Sequence, residues 1–343
     1  MLYKAAIYFI SYIGLNEYII KDVRMNINKN NVELIYITPL WVADMAIGVC
    51  WDKQKPVCDI KRMDRIANKF KHRSTIEHIH IIFTTHDYAI ASVFRDNNFS
   101  IATPTNGTWV ITTNMRALGD MRFTDIDYEA LLPEEYLFLV TNKPYEVMGL
   151  NTPSPSIHIK DNYGTTINLL SDSHHTYTTA SKENASFNFH IKGCSRAVLQ
   201  ELARHRSANL SVKSSRYTLN ELKHEKQFKF LFLITKEQKA RANEYLVFTG
   251  HDDVDRAAIL ALENLRRLVN SGKSIDKIKT AMPEAYRTEL VLSFTYSGLA
   301  NFLQLRLNDS AWYQIRSLAR HITTILPLPI LEDMGRDIKI PLV

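Results

Sequence analysis

The amino-acid sequence predicts an α+β fold with long helices and an inserted β-rich segment, and three observations carry that reading. Apolar residues recur at helical spacing in two long stretches, Val254, Ala258, Ala261, Leu262, Leu265, Leu268 and Val269, then Ile315, Leu318, Ala319, Ile322 and Leu326. Phe187, Phe189 and Ile191 alternate with polar residues, as a half-buried strand requires. Between residues 86 and 184 the helical pattern fades, and β-prone pieces alternate with Pro, Asn, Gly and Ser punctuation.

In chain order, residues 1–22 hold an apolar run broken by Asn16 and Glu17, with no small-residue cleavage site behind it. A buried strand or helix is expected there, and no signal peptide. Residues 32–38 (VELIYIT) read as a strand entering a helix, with Thr38 as its cap and Pro39 in the first turn. Val42, Ala46, Val49 and Cys50 continue that helix. Ile60, Met63, Ile66, Ala67 and Phe70 give a second apolar stripe, and residues 79–85 a strand. In the middle segment, residues 109–114 and 135–141 are the expected strands, with ATPTNG and NTPSPS as turns. The stretch CSRAVLQELARHR follows as a helix with Ala197, Val198, Leu199 and Leu202 inward, closed by Arg204, His205 and Arg206. SANLSVKSSRY then reads as a polar loop, and residues 228–234 as an apolar run. The helix around 254–269 ends at Asn270-Ser271-Gly272. Leu299, Phe302, Leu303 and Leu305 mark another, and the last long helix stops at Pro327. The expected organisation is residues 1–85, an insertion or subdomain over 86–184, and residues 185–343.

With 343 residues, 45% apolar and 23% charged, the chain can bury a sizeable core. No run of eighteen apolar residues exists, so no membrane association is expected. The formal charge of +6 suits phosphorylated small molecules and nucleic acid alike. It is gathered at dense sites such as Arg204-His205-Arg206 rather than in a basic tail, and no nucleic-acid motif is present, so no nucleic acid is expected. Cys50, Cys58 and Cys194 are odd in number and lack metal-ligand spacing, which suits a reducing, cytoplasmic setting. His174-His175 forms no recognised ligand set and is expected as polar surface; no metal is expected.

The chemistry points to one place. Ser214 stands eight residues beyond Arg206 and is followed by Ser215, Arg216 and Tyr217. Arginine forks and hydroxyl donors suit phosphate, and Tyr217 suits stacking on a base. Taken alone, the Arg-His-Arg triplet fits a solvated basic face at a helix end better. The longer string RHR-x7-S resembles the signature of the flavin-dependent thymidylate synthases. YITPLWVADMAIGVCW (36–51) and RIANKFKHRSTIEH (65–78) are similar to that family's first helix and HxSTxEH segment. VDRAAILALENLRRL, AMPEAYRTEL, NFLQLR and AWYQIRSLA continue the likeness in order.

The resemblance implies the family's mixed fold, a homotetramer with sites built by more than one subunit, and FAD as cofactor. It implies methylation of dUMP to dTMP with methylenetetrahydrofolate and NADPH as co-substrates. Residue by residue, it assigns Arg204, His205 and Arg206 to flavin and nucleotide, His72, Ser74 and Glu77 to the flavin or folate region, and Asn301 to flavin. Glu201 stands where the family usually has a nucleotide-contacting Gln. Ser214, Ser215, Arg216 and Tyr217 would hold the nucleotide, with Ser214 a ligand rather than a nucleophile. Lys279 replaces a usual arginine, and Arg306 would lie against the pyrimidine and stabilise its developing charge. No cysteine attacks the substrate in this class, so the three thiols are expected to be structural.

The chain also departs from the family pattern. Asn209, Ser211 and Val212 replace a Ser and an Asn-Glu pair, and Thr295 and Ser297 replace an Asn-x-Arg pair. TTNMRALGDMR (112–122) resembles that lost piece, which suggests Asn114 and Arg116 as substitutes at the flavin. These changes leave room for related flavin- and folate-dependent chemistry, such as hydroxymethylation of dUMP or dCMP, and for a nucleotide-binding homologue without turnover.

Overall fold

The computed structural model describes residues 25–27, 31–121, 124–141, 158–175, 181–228 and 234–338. Two sheets and the helices packed on them give the α+β architecture. The first sheet has the order β2-β3-β5-β4, from β2 (Glu33–Ile37), β3 (His80–Thr85), β4 (Ile101–Thr105) and β5 (Thr108–Asn114). The second has the order β10-β11-β9-β8-β7, from β7 (His158–Lys160), β8 (Thr166–Asp172), β9 (Ser186–Ser195), β10 (Asn209–Val212) and β11 (Arg287–Thr295). β1 (Met25–Ile27) and β6 (Thr124–Ile126) form a small parallel pair. Strands from the 86–184 segment thus join strands outside it in both sheets.

Two large apolar clusters pack around the sheets, the first reaching into the five-stranded sheet through Leu170 and Val291. Helix α1 (Leu40–Trp51) packs beside β10, β11 and the 73–78 turn, and its Val42, Ala46 and Ile47 share one buried cluster with Phe83 and Ile111. The helices α7 (Tyr296–Arg306) and α8 (Tyr313–Ile325) cover the β9–β11 face, where Phe189, Phe294, Leu299, Phe302 and Ile322 meet. A third cluster forms under α6 (Asp252–Asn270), with Leu262 and Leu265 against Leu219 and Tyr286. At about 25 cal/mol per Å² of apolar surface removed from water, such residues supply most of the drive to fold. Among the described residues, no helix is long and apolar enough to cross a membrane.

Several local expectations are corrected. Thr38 does not cap α1: its Oγ1 accepts from the His80 backbone N–H, and Pro39 takes the cap position. The second stripe forms an α-turn run, Ile60–Asp64, that widens into a π-helix over Arg65–Lys69, which leaves Phe70 60% exposed. Residues Glu134–Leu139 form a 3-10 helix instead of a strand, because consecutive apolar residues there are buried together. The middle segment also holds helices α2 (Tyr88–Arg95) and α3 (Met115–Asp120), each started by a side-chain cap, from Asp87 and Asn114. Short helices of one or two turns leave little periodicity to read.

Helix α4 (Arg196–Leu202) is capped by Ser195 and stops before the Arg-His-Arg triplet. The expected polar loop is instead strand β10 followed by helix α5 (Ser215–Asn220). β10 has enough backbone pairing with β11 to be ordered, Ser211 lying opposite Val291. Val254 and Leu305 face solvent at 54% and 52% exposure. The opening run at 1–22 and most of the 228–234 run lie outside the described residues.

Candidate active site

Two groups of candidate residues sit near the two ends of β10. At its start, the turn carrying Arg204, His205 and Arg206 meets the last turn of α7. His205 is buried, and its ring lies edge-on to Phe302 at 5.1 Å. Burial and the Arg306 guanidinium push the His205 imidazole below its ordinary range, with Glu201 opposing them. The neutral ring accepts a hydrogen bond at Nε2 from Arg306 Nε at 2.9 Å, which fixes the ring proton on Nδ1. Arg306 Nη1 is also 2.8 Å from Glu201 Oε2, and its Nη2 donates to the Glu201 carbonyl at 3.4 Å. Arg204, 73% exposed, reaches the other Glu201 oxygen at 3.4 Å. Arg206 and Asn301 are exposed nearby in sequence. Three guanidinia against one carboxylate leave a positive excess suited to an anionic ligand.

The 72–78 segment reaches the same strand. Asn209, first residue of β10, donates from Nδ2 to the Glu77 carbonyl at 3.2 Å. Glu77 Oε1 in turn pairs with Arg116 Nη1 at 2.5 Å, and Arg116 also meets Asp120 at 3.4 Å. Arg73 lies 3.7 Å from Asp120. Gly119 makes room for it, since a Cβ there would stand 2.3 Å from Arg73 Nη2. Asn114 is buried, and its Oδ1 caps α3 by accepting from Ala117 N at 2.9 Å. Thr295 does the same for α7, accepting from Gly298 N at 3.4 Å. The two lookalike segments therefore share a strand-to-helix turn, in different sheets. His72 and Ser74 are exposed, with His72 edge-on to Trp51 at 5.8 Å.

At the far end of β10, Ser214 N donates to the Cys50 carbonyl at 3.2 Å, and Ser214 Oγ caps α5. Ser215 opens that helix, and Tyr217 is half-buried in it. Arg216 is paired with Asp276 at 2.8 Å, and Lys279 stands 3.9 Å from the same carboxylate. Lys213 is held at 13% exposure by Asp52 at 3.0 Å and Glu221 at 2.7 Å. At about 3.3 Å per residue, the rise from Asn209 to Ser214 is on the order of 15 Å.

The structure thus joins Glu201, Arg204, His205 and Arg306, joins Glu77 with Arg116, and joins Arg216 with Lys279 through Asp276. It does not join the Arg216 group directly to the Arg306 group. Asp276 escaped the sequence reading, although its i,i+3 spacing to Lys279 was visible. His78, the last residue of the 65–78 segment, has no role in the sequence reading; its ring is wholly buried between Ser293 Oγ at 2.5 Å and Ser211 Oγ at 2.9 Å. Burial pushes all three cysteine thiols up, Cys58 and Cys194 to about 12, which makes them poor nucleophiles.

The family described as thymidylate synthase complementing protein matches residues 148–327. The flavin-dependent thymidylate synthase of Wolinella succinogenes is 48% identical over 145 residues, 42% of this chain and 68% of that protein. The flavin-dependent thymidylate synthase of Campylobacter jejuni (strain RM1221) is 45% identical over 145 residues, 42% of this chain and 67% of that protein. A crystal structure of thymidylate synthase X from Helicobacter pylori with FAD and dUMP is 27% identical. It covers 89% of this chain and 98% of that one, at a TM-score of 0.41.

Proposed function

Because the chain belongs to the thymidylate synthase complementing protein family, we propose that it is a FAD-dependent enzyme that methylates dUMP to dTMP, with methylenetetrahydrofolate as carbon donor and NADPH as reductant. The observation that carries this reading is the Arg306–His205–Glu201 cluster. It brings the histidine of the Arg-His-Arg motif against an arginine 101 residues later, in an orientation fixed by three contacts.

The donor set suits a flavin dinucleotide, whose diphosphate and ring oxygens call for charge-assisted and neutral donors together. Arg204, Arg206, His72, Ser74 and Asn301 present such donors from exposed positions. Bound FAD supplies the electron-transfer chemistry that no side chain here can provide. Arg306 is the residue assigned to the pyrimidine: its guanidinium stabilises negative charge on the ring as C5 becomes electron-rich. His205 and Glu201 keep that guanidinium oriented, so little reorganisation accompanies the reaction. Ser214, Ser215, Arg216, Tyr217 and Lys279 are assigned to the nucleotide, with Arg216 and Lys279 exchanging Asp276 for phosphate. Arg116 supports Glu77 from beside, and Asn114 acts by capping the helix that carries Arg116.

The separation of the two groups along β10 favours a site completed across subunits, in keeping with a homotetramer. In that arrangement the Arg216 group of one copy faces the Arg306 group of another. Thr295 and Ser297 favour one second reading, a changed transferred group or an accepted dCMP, because Thr295 is committed to capping α7.

The test is turnover by purified FAD-loaded protein with methylenetetrahydrofolate, NADPH and either dUMP or dCMP, with mass analysis of the nucleotide. A gain of one methyl on dUMP is expected. A hydroxymethyl product, or modification of dCMP, selects the second reading. Nucleotide binding without product would mark a homologue that has lost turnover.

A further inference from the structure

We infer that Asp172, His174 and His175 form a binding site for a divalent first-row transition cation of the zinc class, separate from the residues assigned to flavin and nucleotide. Asp172 is the last residue of β8, and its position is fixed by register against Phe187 of β9. The chain turns immediately afterwards, and the His174 backbone N–H donates to Asp172 Oδ1 at 3.2 Å. That turn folds the His174 imidazole onto the same carboxylate, Nδ1 against Oδ1. His175 completes the set: one ligand atom from each of the three residues lies within 4.8 Å of the others. Two imidazole nitrogens and one carboxylate oxygen are the donor types that zinc takes, with a fourth position left for water or another oxygen.

A second observation comes from across the sheets. Tyr36, on β2, lies edge-on to the His175 ring at 5.7 Å. Its hydroxyl is buried and makes no hydrogen bond of good geometry, with the Ser171 and Thr38 side chains beside it. A buried orphan hydroxyl is uncommon in a native fold and asks for a partner. A cation-bound water, or the cation itself, would give it one. Such an ion would fasten the end of β8 to β2, and so clip the five-stranded sheet to the four-stranded one.

The experiment uses the full-length, FAD-loaded protein, stripped with chelator and titrated with Zn2+ by calorimetry, with Co2+ as a spectroscopic probe. One Zn2+ per chain is expected, with the visible bands of low-symmetry, low-coordinate Co2+. Affinity should fall more than about tenfold in Asp172→Asn and in His175→Ala. His175 is exposed, so its removal leaves the fold intact; unchanged FAD absorbance in both variants checks this. Uptake should also weaken as pH is lowered, since imidazole must shed its proton to ligate. Absence of saturable uptake overturns the site, and so does uptake equal to wild type in both variants, which would mean adventitious binding elsewhere. Neither result bears on the flavin chemistry, which is read separately by turnover.

Discussion

Arg306 donates from Nε to His205 Nε2 at 2.9 Å, so the motif histidine serves as an acceptor that aims a guanidinium. This geometry needs a planar fork with a donor on its inner edge, which lysine lacks. Arg306→Lys keeps the charge and loses the orientation. Turnover should fall by roughly 10²–10³, as when one preorganised donor is removed from a transition state. Thermal midpoints should shift by only a few degrees, because the side chain reaches the surface at 16% exposure. Steady-state kcat beside a melting curve checks this; equal loss of both would make Arg306 a structural residue.

Glu201 holds Arg306 at 2.8 Å and Arg204 at 3.4 Å. Glu201→Gln keeps the shape and removes the charge that opposes the lowering of the His205 pKa. The His205 titration should therefore move further down, read by imidazole proton resonances. The pair is partly solvated, so the stability change should stay below about 1 kcal/mol. An upward movement of His205 would contradict the assigned electrostatics.

Arg216 and Lys279 share Asp276 on the surface. If both cations take phosphate, Asp276 competes with substrate. Asp276→Asn should then lower KM for dUMP about two- to fivefold with kcat unchanged, the scale of an exposed ion pair. Arg216→Ala should raise KM instead. A KM that ignores both substitutions would remove this corner from the site.

How much of this was legible in the sequence follows from the range of each interaction. The long helices α6 and α8 were readable because their apolar positions repeat over three or more turns, and β9 because Phe187, Phe189 and Ile191 alternate. β10 was not, since Asn209–Val212 has only Leu210 and Val212 as apolar residues within a polar stretch, and it is held by partners on β11, near residue 290. Likewise the motif singled out candidate residues but not what they touch. The Glu77–Arg116 and His205–Arg306 contacts join positions 39 and 101 apart, and only folding brings them together. Residues 135–141 were misread because a run of apolar residues carries no period to separate a strand from a buried 3-10 turn.

Asn114 caps α3, the short helix that places Arg116 against Glu77. Asn114→Ala should destabilise the chain by about 1 kcal/mol through the lost cap. Asn114→Asp keeps an acceptor for Ala117 N–H and should recover most of it. Chemical denaturation of the three proteins gives the comparison. A flavin affinity that drops in Asn114→Ala and returns in Asn114→Asp would place the capped turn, rather than the amide, in cofactor binding.

His78 closes a buried polar chain across the second sheet. Its Nδ1 meets Ser293 Oγ, and Ser293 Oγ donates to Asn188 Oδ1, whose own Nδ2 donates to Ser171 Oγ. Since Asn188 Oδ1 can only accept, Ser293 must use its one hydrogen there and accept from His78. The ring is therefore the Nδ1–H tautomer, and its Nε2 accepts from the Ser211 hydroxyl at 2.9 Å. Burial holds this imidazole down to about 3, and His80 beside it to about 4, against an ordinary 6.5. Both groups bind protons less readily folded than unfolded. Stability from them is complete above pH 6.5 and is lost as pH falls toward the folded values, because the unfolded chain gains protons first. His78→Gln retains a donor and an acceptor but cannot be protonated. Between pH 7 and pH 4.5, wild type should lose about 2 kcal/mol more unfolding free energy than this variant, each read against itself by urea titration. Equal acid losses in the two proteins would show that His78 does not set the acid limb, whatever the variant's stability at neutral pH.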